Sequence, residues 1–180
     1  MRAIRPLYDE FGVDGFYRDH AGAYENPHFP EIQALVTRNF ERIDCTHVLD
    51  FAAGGGEVTR ILTGLGATHI TGCDPYTQQL FGQNTGRPCL SLSFKSVIRE
   101  GLPGQYSTII CSFALHLCPV KALFPLVWNL LEAAPTLVVI TPHKRPDLDA
   151  IDGVRLLWED SVRTARAKTV RCRAYQRTPG

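Results

Sequence analysis

The chain has 180 residues, 44% of them hydrophobic and 21% charged, with a net charge of +1. That length fits one domain with a substantial core. A near-neutral balance gives no global field for nucleic acid or acidic lipid, no apolar run reaches spanning length, and the opening Met1-Arg-Ala-Ile-Arg-Pro lacks the apolar core of a signal peptide, so a cytoplasmic protein without a membrane is expected. The six cysteines, at 45, 73, 89, 111, 118 and 172, include no C-x-x-C pair, so no metal is expected, and several fall in apolar runs where Cys acts as a small hydrophobe.

Residues 1–30 read as an N-terminal arm of short turns and loops, aromatic and broken by glycines. Tyr17, His20, Tyr24, Asn26 and His28 cluster in it as polar-tipped side chains. Residues 31–180 read as a single domain. Pro30 suits a first helical turn, and Ile32, Leu35, Val36, Phe40 and Ile43 give Glu31–Ile43 a helical spacing. A first strand is predicted over His47–Phe51 and a short helix over Glu57–Thr63, stopped by Gly64 and Gly66. His69–Cys73 reads as the second strand. A weak helix around Leu80 and Phe81 follows, then a third strand over Cys89–Phe94 and a poor segment bounded by Gly and Pro.

The fourth strand is predicted from Thr108 through Phe113. The helical pattern from Pro119 to Ala134 contains Pro125, which predicts a kink or a restart. Thr136–Thr141 (T-L-V-V-I-T) is a continuous apolar run, as in a parallel sheet covered on both faces. Alternation near the C-terminus predicts a closing antiparallel pair, about Ser161–Ala165 and Thr169–Arg177.

The organising stretch is Thr46–Thr59. Val48 and Leu49 end on Asp50, then Phe51-Ala-Ala-Gly-Gly-Gly lead into a helix start, and Asp74 ends the next strand. Acid, glycine loop, helix, strand and acid is the layout of a nucleoside-binding βαβ unit. A dinucleotide site wants a third Gly, where Thr59 stands, and a phosphate there would meet Glu57. At ~4 Å and an effective dielectric of about 20, like charges cost on the order of 4 kcal/mol. Both acids suit a ligand with an ammonium and a ribose but no phosphate, which disfavours a nicotinamide oxidoreductase.

V-L-D-F-A-A-G-G-G resembles the first motif of the class I S-adenosylmethionine-dependent methyltransferases, and Gly72-Cys-Asp-Pro-Tyr76 resembles their second. Tyr106 to Leu117 is similar to their fourth-strand motif and T-L-V-V-I-T to the fifth strand, so the likeness runs from Glu31 to Thr141. It implies an α/β fold: three layers, doubly wound, with a mostly parallel seven-stranded sheet and an antiparallel C-terminal strand. It also implies S-adenosyl-L-methionine as cofactor.

Carried over by position, Asp50, Ala52, Gly54 and Gly56 would hold the methionine end. Asp74 would take the ribose hydroxyls, Pro75 and Tyr76 would flank the adenine, and Ser112 and Phe113 would line the floor by the methyl group. Ala52 stands for the family's first loop Gly, a mild change if its backbone angles are ordinary. The acid that usually follows the third strand is absent, and Ser93 and Phe94 occupy its place. The N-terminal segment usually closes over the cofactor in this fold, so a lid is implied, with Tyr17 at the cofactor and His20, His28 and Tyr24 as candidates to take a proton or shape the pocket. The plain alternatives are strand-ending acids that cap helices, core packing for Ser112 and Phe113, and a packing arm with surface histidines. The expected function is methyl transfer to a small-molecule acceptor. The alternatives are an RNA or protein methyltransferase that uses the basic stretch from Arg155 or a partner subunit, and a non-catalytic cofactor- or partner-binding module.

Overall fold

The computed structural model describes residues 26–180. Twelve regular elements follow in order: α1 (Phe29–Arg38), β1 (Val48–Phe51), α2 (Glu57–Gly64), β2 (Ile70–Cys73), α3 (Gln78–Thr85), β3 (Cys89–Leu90), α4 (Phe94–Glu100), β4 (Thr108–Ser112), α5 (Val120–Ala133), β5 (Thr136–Thr141), β6 (Val154–Arg163) and β7 (Thr169–Arg177). The strands form one seven-stranded sheet in the order β3-β2-β1-β4-β5-β7-β6. β1 to β5 pair in parallel, whereas β7 is antiparallel to both β5 and β6. The expected α/β, doubly wound sheet with a reversed C-terminal strand is therefore present.

Alternation along the strands sorts the core into two layers. Leu49, Phe51, Ile109, Cys111, Leu137 and Val139 face α4 and α5. Val48, Ile110, Val138 and Ile140 face α1 and α2, where they meet Ile32, Leu35, Ile61 and Leu62. Both faces of β1, β4 and β5 are covered, which is why those strands are continuous apolar runs. Strand order reverses between β1 and β4, and in such sheets the crevice beyond the strand ends at this point is where ligands bind.

Four sequence expectations need correction. The helix predicted to Ile43 ends at Arg38, and a separate 3-10 turn covers Phe40–Arg42. Asn39 breaks it: its Nδ2 donates back to Leu35 O at 2.8 Å and across to Asp160 Oδ2 at 2.7 Å. The third strand is two residues long rather than reaching Phe94, because Ser93 caps α4 by accepting from Ser96 N at 3.1 Å. That helix lies in the segment read only as poor and bounded by Gly and Pro. The restart offered at Pro125 does not occur, because one helix spans Val120–Ala133. Finally, β6 begins at Val154 rather than Ser161, and the irregular pairing between Leu156 and Trp158 interrupts the alternation that would have revealed it.

Candidate cofactor cleft

Asp50 lies at the β1 end on the α2 side and is buried. Its Oδ2 accepts from Thr59 Oγ1 at 2.7 Å and Thr59 N at 3.2 Å. Burial pushes its carboxyl up to about 7; the Thr59 hydrogen bonds oppose that rise, while nearby Glu57 and Asp74 add to it. Asp74, at the β2 end, is also buried. Its Oδ1 accepts from Tyr76 N at 2.9 Å and Thr77 N at 3.1 Å, and its Oδ2 accepts from Gly54 N at 3.1 Å. One carboxylate thus fixes both the turn into α3 and the glycine loop, and it retains acceptor capacity.

The loop between β1 and α2 is built from left-handed residues. Gly54 has φ +55° and Gly56 φ +85°. Ala52 has φ +56°, so its replacement of the usual Gly is not mild: its backbone is in the region that disfavours a Cβ. Phe113, just past β4, also has φ +56°. Two strained residues therefore flank one crevice.

That crevice has two rooms. The first, about 20 Å³, is lined by Asn26, Asp50, Gly54, Glu57, Ser112 and Phe113 among others. The second, about 100 Å³, is lined by Ala52, Asp74, Pro75, Tyr76, Leu92 and Phe94 among others. Ala52 and Ala114 belong to both walls, so the rooms adjoin. Ser112 Oγ is buried without a hydrogen-bond partner among the described residues. An orphaned hydroxyl in a small room with two acids, beside a larger room with Tyr76 and Phe94, matches a ligand with a polar end and a flat aromatic end.

The structure brings together Asp50, Ala52, Gly54, Asp74, Pro75, Tyr76, Phe94, Ser112 and Phe113. Ser93 stands apart, its Oγ spent on capping α4. Gly56 shapes the loop from the α2 N-cap and lines neither room. His28 stacks on Phe113, with ring centroids 5.1 Å apart. Tyr17, His20 and Tyr24 lie outside the described residues. Asn26, singled out from sequence only as one of the polar-tipped side chains of the arm, is a wall of the first room, and sequence reasoning missed Leu92 as a wall of the second.

No known family model matches the chain. An uncharacterized protein of Schizosaccharomyces pombe is 30% identical over 183 residues, covering 76% of this chain and 74% of that one. Among solved structures, magnesium protoporphyrin IX methyltransferase from Synechocystis with bound S-adenosylmethionine superposes with a TM-score of 0.68 at 17% identity, covering 99% of this chain and 98% of that one. The N-methyltransferase NodS of Bradyrhizobium japonicum in complex with S-adenosylhomocysteine gives 0.66 at 10% identity, covering 97% and 98%. A putative RNA methyltransferase from Pyrococcus horikoshii gives 0.62 at 14% identity, covering 87% and 88%. The chain belongs to the same family as the Schizosaccharomyces pombe protein, and its fold is that of the class I S-adenosylmethionine-dependent methyltransferases.

Proposed function

We propose that the protein binds S-adenosylmethionine and transfers its methyl group to a small-molecule acceptor. The observation that carries this is the pair of adjoining rooms, with Asp50 and the orphaned Ser112 Oγ in one wall and Asp74 and Tyr76 in the other. Asp50 and Ser112 would hold the methionine end, Asp74 the ribose, and Tyr76, Leu92 and Phe94 the adenine. S-adenosylmethionine supplies an electrophilic methyl group on a sulfonium. The chain's own work is to hold the acceptor atom in line, keep water out, and take a proton where the acceptor carries one. Phe113 sits beside the first room and His28 stacks on it, so His28 is the described residue best placed to take that proton.

A large acidic acceptor is less well supported. In the basic stretch, Arg173 is spent on Glu159 and Arg177 on Glu132. Arg163, Arg166 and Lys168 are exposed near the β6–β7 turn and carry the RNA alternative. No helix among the described residues is long and apolar enough to cross a membrane.

Calorimetric titration with S-adenosylmethionine, S-adenosylhomocysteine and NADH tests the reading. Micromolar binding of the first two, lost in Asp74→Ala, is the expected result. Heat with NADH alone would overturn it. Silence with all three would shift the reading to a partner-dependent enzyme or a binding module.

A further inference from the structure

The first turn of α1 contains a pair that capping does not explain. His28 is the N-cap and Glu31 lies three residues on, at the position from which an acidic side chain often reaches back to the N-cap N–H. That N–H is already taken: His28 N donates to Asn26 Oδ1 at 2.9 Å. The His28 side chain makes no capping hydrogen bond either. The two side chains face one another instead, with His28 Nδ1 3.8 Å from Glu31 Oε2. Glu31 Oε2 is buried and accepts no hydrogen bond from the described residues. A surface ion pair three residues apart on a helix would leave that oxygen in water. Here it is withdrawn from solvent and aimed at an imidazole whose face is fixed on Phe113.

Resting on the methyl-transfer reading, we infer that Glu31 is a positioning residue for His28 and that the acceptor's attacking atom still carries its proton when it arrives. A small rotation of either side chain closes 3.8 Å to a hydrogen bond from Nδ1–H to Oε2. This holds the ring in the tautomer that leaves Nε2 as the bare, basic nitrogen. Transfer to such an acceptor forms a bond from its oxygen or nitrogen to the methyl carbon. The carbon–sulfur bond breaks, its electron pair stays on sulfur, and the proton passes to His28 Nε2. An acceptor that is already anionic at its attacking oxygen needs no such pair. The chemistry therefore points to a hydroxyl or a neutral nitrogen that bears an N–H rather than a carboxylate.

The test is long-range nitrogen–proton NMR on protein with isotope-labelled histidine, saturated with S-adenosylhomocysteine, at a pH where the rings are neutral. The His28 signals are identified by their loss in His28→Gln. The expected result is a proton on Nδ1 and a bare Nε2 in the wild type. The balance should swing toward the Nε2–H form in Glu31→Leu and return in Glu31→Asp. A wild-type His28 with its proton on Nε2 would overturn the inference, and so would a Glu31→Leu spectrum unchanged at His28. The wild-type measurement stands even if the Leu variant does not fold. Calorimetry separates this from the underlying reading. Absence of S-adenosylhomocysteine binding by the wild type overturns methyl transfer itself, whereas binding together with the wrong tautomer overturns only the role of Glu31.

Discussion

Asp50 and Thr59 are joined twice, through both the hydroxyl and the main-chain N–H of Thr59, so the acid that ends β1 is tied to the first turn of α2. Those bonds favour the charged carboxylate but do not outweigh its burial, and its folded pKa lies near 7. In the unfolded chain it would be about 3.9. Between these values the folded state holds one proton more than the unfolded state, so stability falls as pH rises from about 4 to about 7 and is flat beyond. Asp50→Asn keeps an acceptor for Thr59 and removes the titration. Urea denaturation at pH 5 and pH 8 should show the wild type losing stability relative to the variant. Identical pH dependence in both would refute the assignment. A cationic ligand group reverses the preference, so S-adenosylmethionine affinity should rise with pH through about 7 in the wild type and lose that dependence in Asp50→Asn.

Ala52 holds φ +56°. A left-handed backbone costs a residue with a Cβ roughly 1–2 kcal/mol, and Gly gives part of that back to a freer unfolded chain. Ala52→Gly should therefore stabilise the protein by about 1 kcal/mol, or roughly 2–4 °C in Tm. A lower melting temperature in the Gly variant would contradict the backbone assignment.

How much of this was legible depended on whether a residue's role is local. Asp50, Gly54 and Asp74 announce themselves, because a strand-ending acid and a glycine loop are patterns along the chain. The crevice at the β1–β4 boundary needed the strand order, which pairs segments far apart along the chain. α4 escaped because Gly101 and Pro103 beyond it drew attention and the Ser93 cap did not. The conformation of Ala52 was invisible, since Ala gives no sign of its φ. Glu31 and His28 were visible as neighbours, but the burial of one carboxylate oxygen depends on what the fold lays over it.

Gly72 and Gly56 meet α3 closely. A Cβ at Gly72 would lie 2.5–2.8 Å from the ring of Phe81, which is fully buried. A Cβ at Gly56 would lie 2.6 Å from Thr85 Cγ2, on a backbone with φ +85°. Overpacking of this kind costs about 1–3 kcal/mol. Gly72→Ala should destabilise by that amount, and adding Phe81→Leu should recover part of it. Gly56→Ala carries backbone strain that no neighbour can relieve, so no second change in α3 should restore it fully. Denaturant midpoints of the four variants decide between these expectations.

Asp160 joins the last hairpin to α1. Its carboxylate accepts from Arg38 Nη2 at 2.6 Å, Arg38 Nε at 3.0 Å and Asn39 Nδ2 at 2.7 Å. Burial alone would raise its pKa, but the hydrogen bonds from Arg38, Asn39 and Ser161 N hold it below the ordinary carboxylate value. A depressed folded pKa gives stability that is present above the unfolded value of about 3.9 and is lost as pH falls through the folded one. A bidentate pair of this exposure is worth about 1 kcal/mol. Asp160→Asn should therefore cost about that much at pH 6, and the gap to the wild type should narrow as pH falls below about 3.9. A gap that does not narrow at all as the pH is lowered would assign the loss to packing against Asn39 rather than to the ion pair. The same residues explain why α1 stops at Arg38: Asn39 leaves the helix to reach Asp160, and the strand that carries Asp160 is thereby fixed over α1 on the Ile32–Leu35 side of the sheet.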